Sequence, residues 1–217
     1  MVSSSISEQN EQTELRELLE NLYQGQKLVE FIGGQTIPLN PEDIWVVCRG
    51  AVSLSSFNAH GEEVLLGFAV PSMPFGLPLA TGCSDQDYRA TALSPVGLMR
   101  FSITEVDRSP LLCRSLWRQL SRRLQQTESI LAIVGYRRIK DRLQQLLLLL
   151  KDEMGQPTDD GTGVRLPVKL THQNLARTIG ATRVTVTRLI KELREEEWLS
   201  VDSQRYITIC NAVNSNR

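Results

Sequence analysis

The chain has 217 residues, 41% apolar, 23% charged and 6% aromatic, and a formal net charge of −1. This is the balance of a soluble globular protein with enough length for one large or two modest cores, not of a fibrous or disordered chain. A net charge near zero also argues against nonspecific packing onto nucleic acid, so nucleic-acid binding would have to rest on a local cationic face.

The first dozen residues are polar and lack the basic-then-apolar order of a secretory signal, and the leucine run in LQQLLLLLKDEM is too short to span a membrane. A cytoplasmic protein is expected. Cys48, Cys83, Cys113 and Cys210 are scattered without a Cys-x-x-Cys pair, which predicts reduced thiols and no metal or iron–sulfur site. Leu15, Leu18, Leu19 and Leu22 predict a short amphipathic helix over Thr13 to Tyr23. From Val29 to Ser102 the character is β: IWVVCRGAVSLSSF, EVLLGFAV, YRATALSP and VGLMRFS are short β-prone runs. They are divided by Gly33-Gly34, Asn40-Pro41, His60-Gly61 and a loop from Pro71 to Pro78, a spacing that suggests an antiparallel barrel or jelly roll.

Ser109 to Lys151 is the longest helical stretch, with Pro110 suited to its start. Leu116, Leu120, Arg123, Thr127, Leu131 and Val134 recur at three-and-four spacing, as in a coiled-coil seam, so burial against a second copy is expected. Gly135 to Arg138 is the expected hinge, followed by a leucine-rich helix and the polar turn GQPTDDGTG.

The run from Thr171 to Leu193 divides into two short helices around Gly180, a residue that tolerates the left-handed conformation a helix end requires. Thr171 and Thr182 can each cap a helix N-terminus. Leu175, Ala176, Ile179, Val186, Leu189, Ile190 and Leu193 fall at helical spacing and pack the pair together. Arg183, Val184, Thr187, Arg188 and Lys191 are left outside, a cationic, hydrogen-bonding and methyl-bearing surface of the kind that reads a major groove. Val164 to Leu170, Leu199 to Val201 and Tyr206 to Ile209 read as flanking strands, making a winged helix-turn-helix. With His60 and His172 the only histidines, no catalytic nucleophile–base arrangement is visible. A second reading, from a different class, is a ligand-sensing or protein-interaction module whose winged domain docks a protein partner.

LTHQNLARTIGATRVTVTRLIKELREEEWLSV resembles the DNA-binding domain of CRP/FNR transcription regulators, and within them the cyanobacterial global nitrogen regulators. The resemblance implies an α+β fold with a cyclic-nucleotide-binding-type β-roll over 1–108, a long dimerisation helix over 109–136 and a winged helix-turn-helix over 137–217. IWVVCRGAVSLSSFNAHGEEVLL looks like the roll's central hairpin. It implies a homodimer on double-stranded DNA with RNA polymerase as protein partner, as an activator or a repressor of its targets. Arg183, Val184 and Arg188 would face the bases, with Thr171, His172, Gln173, Thr182 and Thr187 as further DNA contacts. Val184 stands where cyclic-AMP-receptor-like members carry glutamate, which favours a TGTA-like half-site. The effector cassette falls on Phe75, Gly76 and Leu77; Leu77 replaces the glutamate and Gln86 the arginine of cyclic-nucleotide binders, so cyclic AMP is not expected. Arg89, Arg123 and Glu128 are the residues that would serve a 2-oxoglutarate-like effector.

Overall fold

The structure, a computed structural model, describes residues 28–77 and 88–210. The expected Thr13 to Tyr23 helix, Cys83 and Gln86 lie outside these residues.

Among the described residues, eight strands form the N-terminal part: β1 (Val29–Phe31), β2 (Thr36–Ile37), β3 (Asp43–Arg49), β4 (Val52–Phe57), β5 (Glu63–Ala69), β6 (Pro74–Phe75), β7 (Arg89–Ala92) and β8 (Val96–Ser102). They pair antiparallel in two four-stranded sheets, ordered β1-β8-β3-β6 and β2-β7-β4-β5. The long run IWVVCRGAVSLSSF therefore spans both sheets, and the central hairpin proper is β4–β5. Gly50 makes the crossing. Its φ is +80°, and a Cβ there would lie 2.4 Å from the Pro95 carbonyl oxygen, so a side chain is excluded both by conformation and by space. At the hairpin turn, the Asn58 side-chain oxygen accepts from the His60 and Glu62 amides.

Alternation along β3 sends Trp45 and Val47 into a core shared with Val52, Leu54 and Phe68 of the other sheet. Ile44 and Val46 point the opposite way and pack with Phe101, Val106, Leu112 and Leu116. This outer face is covered because the chain folds back in two helices, α1 (Ile103–Arg108) and α2 (Pro110–Val134). The α1 turn was not anticipated. Its signal is a capping box, in which Ser102 Oγ accepts from the Glu105 amide at 3.2 Å and the Glu105 carboxylate accepts from the Ser102 amide at 2.7 Å. Pro110 stands in the first turn of α2, as expected, with Ser109 as N-cap.

The helical stretch breaks completely at the expected hinge. α2 ends at Val134, and α3 (Ile139–Met154) begins after an extended Arg138. Arg142 Nε donates to the Tyr136 carbonyl at 2.8 Å, bracing the break.

The expected seam on α2 is corrected at two positions, Leu116 and Arg123, while Thr127, Leu131 and Val134 stay exposed. Leu116 is 3% exposed within the roll's second core, and Arg123 turns to the roll as well. The most exposed apolar residues are Trp117, Leu124 and Leu131, at 71%, 60% and 74%, with Leu111 and Val134 exposed as well. The helix carries two apolar stripes, one for the roll and one facing away. Periodicity measures their spacing but not which stripe faces which partner.

The rest is a four-stranded antiparallel sheet, β11-β12-β10-β9, around two helices. Its strands are β9 (Gln156–Pro157), β10 (Gly163–Arg165), β11 (Leu199–Val201) and β12 (Ile207–Cys210), and its helices are α4 (His172–Ile179) and α5 (Arg183–Glu195). GQPTDDGTG is more than a turn, since it contributes β9 and the hairpin into β10. Leu143, Leu146, Leu147 and Leu150 of α3 supply the buried leucines beneath α4 and α5. No described helix is long and apolar enough to cross a membrane, and no described group of acidic, histidine and cysteine side chains could hold a metal ion.

Candidate DNA-reading face and effector site

The two-helix unit forms through its local chemistry. Thr171 Oγ1 accepts from the Asn174 amide at 3.0 Å and Thr182 Oγ1 from the Thr185 amide at 3.2 Å, capping α4 and α5. Gly180, with φ of +63°, closes α4 in the left-handed conformation. Arg142 Nη1 donates to the Ile179 carbonyl at 3.1 Å, tying the turn to α3. Leu175, Ala176, Ile179, Val186, Leu189, Ile190 and Leu193 are all buried, as their spacing predicts.

This packing leaves Thr171, Gln173, Thr182, Arg183, Val184, Thr187 and Arg188 outside the core, with Val184 exposed by 78%. A branched apolar side chain held so far out of the core is available to meet a thymine methyl. His172 is half-buried, and its Nδ1 lies 2.8 Å from Thr187 Oγ1, linking the start of α4 to the middle of α5. The Thr187 hydroxyl donates to the Arg183 carbonyl at 2.9 Å. That bond leaves the Thr187 oxygen able to accept from an Nδ1–H of His172. Burial, then Arg183, then Arg205 hold the imidazole below its ordinary pKa of 6.5.

Arg205 was missed in the sequence, where the wing turn was recognised but not its cation. It sits beside His172 in a left-handed conformation with φ of +69°, its amide bonded to the Asp202 carbonyl at 2.9 Å. The Asp202 carboxylate takes the Tyr206 amide at 2.8 Å and Arg165 at 2.9 Å, while Arg165 stacks 3.9 Å over the Tyr206 ring. These contacts brace the wing, and the cationic face runs from α5 onto it.

The effector candidates separate. Phe75 is buried in the roll core, and Gly76 has φ of +90°, where a Cβ would press to 3.1 Å from the Asp43 carbonyl. Leu77 packs against the second core instead. Arg89 is exposed and stacks 4.6 Å from the Phe57 ring centroid. Strand alternation turns its neighbour Tyr88 the other way, into the core and beside Arg123. Arg123 Nη1 donates to the Phe68 carbonyl at 3.3 Å. Burial pulls its guanidinium below the usual range and pushes the Tyr88 phenol up. Glu128 is exposed and, five residues along, points about 140° round the helix from Arg123. The structure thus joins Arg123 to the cassette through Tyr88 and β5, and sets Arg89 and Glu128 on other faces. Tyr88 went unread because its inward face depends on strand register.

The family model of the Crp-like helix-turn-helix domain matches residues 141–213. The global nitrogen regulator of Synechocystis sp. is 38% identical over 178 residues, covering 79% of this chain and 78% of that protein. The global nitrogen regulator of Nostoc sp. is 37% identical over 182 residues, covering 81% and 80%. A CRP/FNR-family transcriptional regulator from Thermus thermophilus, 26% identical, superposes with a TM-score of 0.68 over 85% of this chain and 94% of that one. A cyclic nucleotide-binding domain containing protein from Listeria monocytogenes, 17% identical, shares the fold with a TM-score of 0.73 over 93% and 99%. Identity at this level across four-fifths of the length, joined to a β-roll followed by a winged reader, means that the chain belongs to the CRP/FNR family and is a sequence-specific DNA-binding transcription regulator.

Proposed function

We propose that two copies pair through α2 and set their α5 helices in successive major grooves of a palindromic operator, about 34 Å apart. DNA affinity is then adjusted by a small dicarboxylate of the 2-oxoglutarate class. The observation that carries this reading is the outward stripe of α2. Trp117, Leu124 and Leu131 repeat every seven residues, with Leu120, Thr127 and Val134 three residues after each, in the pattern of a parallel coiled-coil seam. An apolar stripe of that regularity calls for a partner of the same shape, and a second copy supplies it.

Arg183 and Arg188 reach guanine edges or phosphates, and Val184 meets a thymine methyl, favouring TGTA-like half-sites. Arg123 is desolvated with no carboxylate beside it among the described residues, which suits capture of an anion. Glu128 flanks the seam at a position suited to pairing across the dimer. Leu77 cannot hold a ribose hydroxyl, which argues against cyclic AMP. RNA polymerase is the protein partner through which the bound dimer activates.

Titrating the protein onto a TGTA-type palindrome at fixed salt, with and without 2-oxoglutarate, tests the reading. Tighter binding with the ligand is expected. Equal binding with and without it removes the dicarboxylate, and failure to select any palindrome removes the dimeric operator.

A further inference from the structure

Strand β5 is the edge of its sheet, and α2 takes both main-chain groups of Phe68 on that edge. Gln126 Oε1 accepts from the Phe68 amide at 3.0 Å, and Arg123 Nη1 donates to the Phe68 carbonyl at 3.3 Å. Gly67 makes room for the pair. Its φ is +150°, and a Cβ there would lie 2.9 Å from Gln126 Oε1 and 3.6 Å and 3.8 Å from the two terminal nitrogens of Arg123. The carboxamide and the guanidinium are therefore neighbours over one glycine.

The orientation of the amide follows from Phe68, whose N–H needs an acceptor, so the oxygen of Gln126 faces the strand and its nitrogen is left over. Gln126 is 2% exposed and Nε2 has no hydrogen-bond partner among the described residues. A buried donor without a partner is rare in folded proteins and asks for an explanation. Here it stands beside a cation that also offers donors alone. Two donor groups with no acceptor between them complement a carboxylate. Gln126 also borders a cavity of about 460 Å³ between α2 and α3, whose lining includes Arg118, Arg122, Asp152 and Glu153 but not Arg123.

We propose that Gln126 is a second donor for the effector's carboxylate, acting beside Arg123, while its carbonyl end ties the bound anion to the seat of α2 on β5. This rests on the dicarboxylate reading above. A carboxylate that draws Arg123 away from the Phe68 carbonyl loosens one of two bonds at the strand edge, and Gln126 keeps the other.

Gln126→Glu separates the two roles, because a glutamate oxygen still accepts from the Phe68 amide whereas the donor is replaced by an anionic oxygen. Titration calorimetry of the full-length protein with 2-oxoglutarate should show about a tenfold or greater loss of affinity in Q126E. Thermal unfolding of each variant, followed alongside, separates a loss of ligand affinity in a folded protein from a loss of the fold. Gln126→Met, of similar length and without a donor, should show the same loss of ligand affinity and serves if Q126E does not fold. Wild type that binds neither 2-oxoglutarate nor short dicarboxylates such as succinate and glutarate removes the effector reading and this inference with it. Wild type that binds, with both variants binding equally well, removes only the role of Gln126.

Discussion

Replacing Leu124 and Leu131 by alanine should weaken the dimer and leave the protomer intact. The two side chains are 60% and 74% exposed. Fully burying a leucine is worth roughly 1.5–3 kcal/mol, so the part still open to a partner is worth about 1–2 kcal/mol for each side chain. Alanine keeps a fraction of that, and a two-fold interface counts each position twice, so one substitution costs roughly 1–3 kcal/mol of dimer stability. That is about a 5- to 150-fold weaker dimer, and the two sites stand about two helical turns apart, so their effects should nearly add. Leu116→Ala is the control. Leu116 is 3% exposed and packed with Phe101 and Leu112, so its truncation should lower protomer stability by about 2–5 kcal/mol, with the seam itself untouched. Sedimentation equilibrium reads the first quantity and thermal unfolding the second. A double variant that dimerises like wild type, or a Leu116→Ala protein with unchanged melting and a weakened dimer, refutes the register assigned to α2.

Arg183→Ala and Arg188→Ala should each cost about 1–3 kcal/mol at the operator and relax base preference, whereas Arg205→Ala should weaken all sequences alike and lower the salt slope by about one; anisotropy titrations over a range of salt distinguish these. His172 should make operator binding pH-dependent. Its free-protein pKa lies below 6.5 and a phosphate favours the imidazolium, so the complex takes up protons and affinity rises as pH falls towards and through 6.5. For folding the sign is opposite: the neutral imidazole's contribution is complete above 6.5 and declines as pH drops below it. His172→Gln should flatten both profiles. Gly67→Ala places a methyl against Gln126 Oε1 in a conformation unfavourable for alanine, so it should destabilise the protein by about 1–3 kcal/mol in urea unfolding.

The reader was legible because its determinants are local. Thr171, Thr182 and Gly180 act on backbone groups within a turn of themselves, and the seven buried positions of α4 and α5 repeat with the helix. The roll's strands were legible for the same reason, as short apolar runs between turn residues. What escaped depends on distant contacts. Tyr88 and Arg89 differ only in which face of β7's sheet they meet, and register sets that. Leu116 and Leu124 are equally apolar, and only the presence of β3 beneath one of them decides which is core. Gln126 has no signal at all without Phe68 opposite it.

These hidden contacts converge on α2. One side of the helix lies on the roll through Leu112, Leu116, Arg123 and Gln126, and another presents the stripe of Trp117, Leu124 and Leu131. Towards α3, Arg122 meets Glu153 at 2.6 Å with both side chains largely buried. The reader is held a second time from the roll itself, since Arg177 of α4 pairs with Glu63 of β5, the strand that also carries Phe68. A rigid helix cannot turn at Phe68 without moving its stripe and its hold on Glu153, and β5 cannot shift without pulling on Arg177. A ligand that favours one seat of α2 over another therefore acts on the pairing of copies and on the attitude of α5 at once, in proportion to the difference in its affinity for the two seats.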